Sequence, residues 1–358
     1  MSEFRLLSRS PQITDYSCGA SALRIVLSYW GRDVEEAELM ELLHTNAEVG
    51  TNPEDIVNGA RSLGFEAQLS ENLSVDELAR LTADGNPVIV LGQMWRSESE
   101  FDRPLEDVWD NGHYVVVLGV DTDYVYLQDP YIQMGKAFAA RKSFEDHWHQ
   151  VMGGNLGKNR KLIHLGIVIR GKWPAKTKMK SSPEIPELDF SKFGSFNLIV
   201  TEFDRYLLPF DFLDEVQSIW KDGTVKPDAI IFLRRDREGN LSGMEGSRLE
   251  QGDEIVGMTA AMAAITDCSL GSPENAKASA LAAAKSAIEG DFGLPAEALK
   301  RIAEKLPANH SVVIGIFENV WERKLREVAQ RHGGRIVQQG LMSPEDIARA
   351  AAGRSELT

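Results

Sequence analysis

The chain has few of the features that staple small domains or carry proteins into membranes and onto nucleic acids. In 358 residues there are two cysteines, Cys18 and Cys268. That number gives no disulfide framework and no paired-ligand zinc spacing, and a reducing compartment is the default. The longest weakly polar run, Ile255 to Ile265, is far below the roughly 20 residues needed to span a bilayer. The opening MSEFRLLSRS has no apolar core of signal-peptide length. These absences lead us to expect a soluble, cytoplasmic protein. Basic charge is also short, with 39 Lys and Arg against 54 Asp and Glu and a net charge of −15. Such a surface repels nucleic acid and anionic membranes, and weakly favours a basic peptide over an acidic one. No GxxxxGK[ST] phosphate loop and no repeat of solenoid period occur.

What is present suits a globular chain. Hydrophobic residues make up 43% and charged residues 26%, and the length fits two domains of about 150 residues each. Helical spacing of Leu23, Val26, Leu27 and Trp30, with Thr14, Asp15 and Ser17 before it as capping oxygens and Gly31 after it, predicts a helix over 18–30. Further helices are expected at 34–44, 53–63 and 75–83. Pro87 to Gly92, Tyr114 to Val120, Tyr124 to Gln128 and Leu162 to Arg170 read as strands, the middle two joined by an Asp121-Thr122-Asp123 turn. Helices followed by an antiparallel sheet are an α+β order. Residues 171–192, rich in Pro, Ser and Lys without periodicity, read as a linker between a first domain, 1–170, and a second, 193–358.

The chemistry concentrates in Gln12-Ile-Thr-Asp-Tyr-Ser-Cys18-Gly19, Gly112-His113-Tyr-Val-Val-Val and Gln128-Asp129-Pro130. A thiol is nucleophilic as the thiolate. A helix N-terminus and a neighbouring imidazolium both favour that form. Cys18 opens the predicted helix, and His113 is the candidate base. His113 begins one strand and Asp129 ends the next, so a hairpin carries both to one end of a sheet. There Asp129 can fix the imidazole. The N–H of Cys18 and the amide of Gln12 are candidate oxyanion donors. Gly19 and Gly112 leave room for a substrate backbone. The segment from Gln93 to Asn111, with Trp95, Phe101 and Trp109 among six acidic residues, reads as a lid over the substrate; Trp95 and Trp109 are its candidate contacts.

This order of motifs, over about residues 5–170, resembles the bacteriocin-processing cysteine peptidases, which cut secretion leaders after a double glycine, often as part of a peptide-exporting ABC transporter. The resemblance implies a papain-like fold, with Cys18 as nucleophile, His113 as base, Asp129 as orienting acid and Gln12 as oxyanion donor. It implies a peptide or protein substrate and no cofactor. Two rivals use the same residues: another amide acyl transfer, such as deamidation or transpeptidation, and a non-catalytic module that binds a peptide in the cleft.

Other candidates have plainer readings. His147 and His149 stand two apart, which does not place them on one helix face; they read as a surface helix with Trp148 inward, not a metal pair. Asp121 and Asp123 read as turn residues, and Cys268 as a semi-buried residue at a helix end. From about residue 196 the chain resembles a bacterial family of unknown function. The resemblance rests on Leu198 to Asp204, Asp228 to Gly239 and Val328 to Val337. Its strands near 197–203, 228–233, 311–317 and 335–340 alternate with helices near 209–221, 254–265, 275–289, 295–305, 320–332 and 344–352. That pattern suggests a ferredoxin-like α+β unit with a helical insert. An apolar stripe at Ile255, Met258, Met262 and Ile265 has helical spacing. It reads as core first and as a self-association surface of a homo-oligomer second.

Overall fold

A computed structural model of the chain describes residues 12–94, 107–109, 111–131, 136–152, 160–172, 196–206, 225–247 and 305–334, with isolated positions between 263 and 282. The fold is α+β. Three helices open it: α1 (Cys18–Tyr29), α2 (Glu36–Leu42) and α3 (Pro53–Ser62). Strand β1 (Glu66–Ser70), helix α4 (Val75–Ala83) and strand β2 (Val88–Gln93) follow. Then come β3 (Gly112–Val120), β4 (Tyr124–Gln128), β5 (Lys136–Ala140) and α5 (Arg141–His147). A small hairpin, β6 (His149–Met152) with β7 (Arg160–Ile163), precedes β8 (Gly166–Arg170).

Local rules account for much of this. Ser74 and Glu77 form a reciprocal capping box at the start of α4. Pro53 occupies the first turn of α3, where its missing N–H costs no hydrogen bond. Gly31, at φ 81°, ends α1 in the left-handed region, with its N–H on Ser28 O and that of Arg32 on Leu27 O. Strand β2 is buried at every position. Its Ile89 and Leu91 pack into the α1–α3 core with Tyr114 and Val116, and its Val90 packs on the other face with Val115, Phe144 and Trp148.

Later strands continue the same sheet: β9 (Phe196–Phe203), β10 (Val225–Arg235), β11 (Leu241–Ser247) and β12 (Ser311–Asn319), with helix α6 (Val320–Arg331) after them. The order is β1-β8-β2-β3-β4-β5-β11-β10-β12-β9, ten strands, every pairing antiparallel. The β5–β11 pairing joins strands that precede and follow residues 171–192. The expected helix at 209–221, the strand at 335–340 and the helix at 344–352 lie outside the described residues, as do nearly all of the 254–305 helices and of the linker. Among the described residues no helix is long and apolar enough to cross a membrane.

Two local expectations are corrected. Strands β1, β5 and β11 were not expected. β1 and β5 are short, and Ala67, Ala137 and Ala139 dilute the β-branched signal. The region of His147 and His149 is not a surface helix. Helix α5 ends at His147, β6 starts at His149, and both imidazoles are buried. His147 Nδ1 meets Ser143 O, and His149 Nε2 meets Val108 O. One nitrogen of each ring meets a backbone carbonyl, while Trp148 is fully buried between them.

Candidate active site

The N-terminus of α1 meets the ends of β3 and β4. Cys18, His113 and Asp129 are all buried, at 9%, 6% and 6% relative exposure. His113 Nε2 lies 2.7 Å from Asp129 Oδ1. That leaves Nδ1 as the ring nitrogen for the hydrogen bond His113 shares with the Cys18 side chain. Asp129 Oδ1 also accepts from Tyr131 N at 2.8 Å, so the carboxylate is fixed from two sides.

The electrostatics follow from burial and this contact. Burial pushes the Cys18 thiol up. The hydrogen bond and charge of His113, with the backbone N–H of Tyr114, more than offset it, and the net direction is down. For His113, burial pulls down, but the charge and hydrogen bond of Asp129 and the contact with Cys18 raise it to about 10. A thiol drawn down beside an imidazole drawn up favours the thiolate–imidazolium form of the pair.

Helix α1 keeps its N-terminal N–H groups free of side-chain caps. Ser17 is the N-cap residue but makes no cap bond. Its hydroxyl instead donates to Thr14 O at 3.1 Å and accepts from Thr14 N at 3.0 Å. This corrects the capping role expected of Thr14, Asp15 and Ser17. The uncapped N–H groups favour negative charge at the helix mouth.

Gln12 belongs to a loop tied down on two sides and braced by its own side chain. Gln12 N donates to Pro130 O at 2.8 Å, Ile13 N to Glu36 Oε1 at 3.0 Å, and Gln12 Nε2 to Thr14 O at 2.7 Å. The loop is thereby laced to the segment that carries Asp129. One N–H of the Gln12 amide is spent inside the loop, and the amide has a second.

Gly19 is buried, and a Cβ there would lie 2.7 Å from Thr51 Cβ and 3.2 Å from Tyr114 Cδ2. The missing side chain makes room for Thr51, which also takes a bond from Tyr114 Oη through its carbonyl at 3.0 Å. Gly112 is exposed, and a Cβ there would run into the Gln150 side chain. Trp109 packs on the β6–β7 hairpin, 4.4 Å from the His149 ring and with Lys161 Nζ 4.3 Å above it. Trp95 and residues 96–106 of the expected lid lie outside the described residues. Among the described residues no cluster of His, Cys, Asp and Glu could hold a metal ion.

Three participants escaped the sequence reading: the Tyr114 N–H, the Pro130 carbonyl and Glu36. Backbone groups carry no sequence signal. Glu36 resembles any acidic residue in the first turn of a helix, yet it is 2% exposed and reaches across 23 residues to Ile13.

A model of the peptidase C39 family matches residues 8–152. The probable functional amyloid protease FapD of Pseudomonas fluorescens is 26% identical over 200 residues, covering 54% of this chain and 79% of that protein. An uncharacterized protein of Methanothermobacter marburgensis is 32% identical over 133 residues, 37% of this chain and 77% of its own length. The transport/processing ATP-binding protein ComA of Streptococcus pneumoniae is 27% identical over 140 residues; the match takes in 38% of this chain but 17% of ComA. A thiol, an imidazole and a carboxylate meet within the matched span, and through it the chain belongs to the peptidase C39 family and is a cysteine peptidase.

Proposed function

We propose that the protein cleaves a peptide bond in a leader or other linear segment through a thioester on Cys18. The observation that supports this most directly is the Cys18–His113–Asp129 chain at the mouth of α1, with the 2.7 Å contact that orients His113. The Cys18 thiolate adds to the scissile carbonyl carbon, and the carbonyl π electrons move to oxygen. The resulting oxyanion is met by the Cys18 N–H and the second N–H of Gln12, each such donor being worth roughly 3 kcal/mol of barrier. Collapse breaks the C–N bond. His113 delivers its proton to the leaving amine, leaving an acyl thioester. His113, now neutral, takes a proton from water, whose oxygen adds to the thioester. The second collapse releases the acid product and restores the thiolate. Ile13 and Tyr131, both exposed beside this site, form an apolar rim for substrate side chains.

The test is the rate of Cys18 alkylation by iodoacetamide from acid to alkaline pH, in a Cys268→Ser background with and without His113→Ala. The expected result is a reactive thiolate well below the ordinary thiol range, lost with His113. An ordinary thiol titration that ignores His113→Ala would remove catalysis and leave a peptide-binding module. Mass analysis of products separates the remaining rivals. Chain cleavage with water uptake supports a peptidase; a one-unit mass shift or a joined product supports deamidation or transpeptidation.

A further inference from the structure

The strands after residue 195 add more than width to the sheet. Through the β5–β11 pairing their side chains fall into register with those leading to the catalytic centre. Leu127, Ala137, Met244 and Phe232 form one row across β4, β5, β11 and β10. Val125, Ala139, Ser242 and Arg234 form the next. Most of these residues floor a groove, partly open to solvent and walled by Ser143 and His147 of α5. Asp129 lines the groove at the catalytic end and Arg234 at the far end. The groove thus reaches the carboxylate that orients His113. Spacings of about 3.4 Å per residue and about 4.8 Å per strand put Arg234 roughly 20 Å from Asp129, about six residues of extended peptide.

Arg234 is held in place for recognition. Its Nε donates to Ser242 Oγ at 2.9 Å, and its guanidinium carbon lies 4.6 Å from the Tyr206 ring centroid. Both contacts orient the planar fork. The two Nη nitrogens make no hydrogen bond or ion pair among the described residues. In a chain of net charge −15, an oriented guanidinium over an apolar floor is suited to a carboxylate.

We propose that this groove is a peptide exosite built jointly by the peptidase strands and the appended strands, taking a substrate segment with an apolar side chain over Phe232 and Met244 and a carboxylate on Arg234. The proposal rests on the peptidase reading and names its substrate class: a linear segment carrying an apolar and an acidic residue about six positions from the scissile bond. It makes the appended half a recognition element. It also sets a local preference for acidic side chains against the overall negative charge, which favours basic ones.

The experiment is selection from a random displayed-peptide library on the full chain carrying Cys18→Ala, which binds without turnover. Parallel selections use the same chain with Arg234→Glu or Arg234→Lys. Enrichment of Asp or Glu beside an apolar residue is expected on the parent and on Arg234→Lys. On Arg234→Glu the acidic preference should vanish or invert to Lys and Arg. No enrichment on the parent, or the same acidic motif on Arg234→Glu, overturns the exosite. A selected peptide is then turned over by the Cys18 protein beside its Glu→Gln form. KM should rise at least tenfold with kcat unchanged, and an equal effect on both constants also overturns it. Cys18 alkylation reports separately on the catalytic centre. An inert thiol with intact selection removes the peptidase and leaves a peptide-binding groove. A reactive thiol with no selection removes the exosite alone.

Discussion

Each half of the fold carries a tight carboxylate–cation contact with its acid buried, and the two have different surroundings. In the first half His113 and Asp129 meet at 2.7 Å, both buried, at the ends of neighbouring strands. In the second, Glu322 and Arg326 meet at 2.6 Å on successive turns of α6, with Glu322 1% exposed. Distance barely separates them, although the Arg326 side chain is 26% exposed and those of His113 and Asp129 are 8% and 6%. Placement does: His113 has a second ring nitrogen facing a cysteine at a helix mouth, whereas the guanidinium of Arg326 does not lose its proton in a protein and can shuttle none. An ion pair becomes catalytic through the titratable neighbour it orients, and otherwise it holds a helix together.

The sharpest way to break that comparison is Asp129→Asn. If the carboxylate orients and charges His113, turnover should fall by about 10⁴-fold, the scale seen when the orienting acid of a triad is neutralised. The pH dependence gives a second readout. His113 is raised in the fold from 6.5 to about 10. A raised group contributes stability that is complete below its unfolded value and lost as pH rises through its folded value. The stability advantage of the parent over Asp129→Asn should therefore shrink between pH 6.5 and about 10, measured by denaturant unfolding. An advantage that is flat across this window would mean that Asp129 is only a packing residue.

Gln12→Ala comes next. Losing one oxyanion donor typically costs about 10²- to 10³-fold in kcat. The alkylation profile of Cys18 should stay as it was, because Gln12 does not contribute to the lowering of the thiol. A loss of thiolate reactivity along with turnover would show instead that the loop holds Cys18 in place.

The site was legible in sequence to the extent that its side chains sit in short motifs at element ends. Cys18 at the start of an apolar 3.6-residue pattern, and His113 and Asp129 on either side of a tight hairpin, were enough to bring three groups together on paper. The order of the sheet was not legible. Strand β8 pairs with β1 and β2, and β11 with β5, across separations that no local pattern encodes. The seam between the two halves was hidden for the same reason: Lys136–Ala140 is a weak strand on propensity and becomes one by lying between β4 and β11. Glu36 was invisible because burial of a carboxylate is a tertiary fact. Trp148 is inward as expected, but the histidines beside it were misplaced because the chain passes from α5 to β6 there, a switch that no local pattern marks.

The smallest expected effect on turnover is that of Glu322→Gln, and it tests the other side of the comparison. Glu322 is buried, but the Arg326 side chain is 26% exposed and can turn its charge to water when its partner is neutralised. The cost should therefore fall below the range for a fully buried pair, at about 1–2 kcal/mol of stability. Thermal unfolding should register it as a lower midpoint, with kcat and the pH profile of Cys18 alkylation unchanged. A kcat loss would show that α6 is coupled to the catalytic centre across the sheet. The contrast between an ion pair that works and one that merely holds would then give way to a single network running the width of the ten strands.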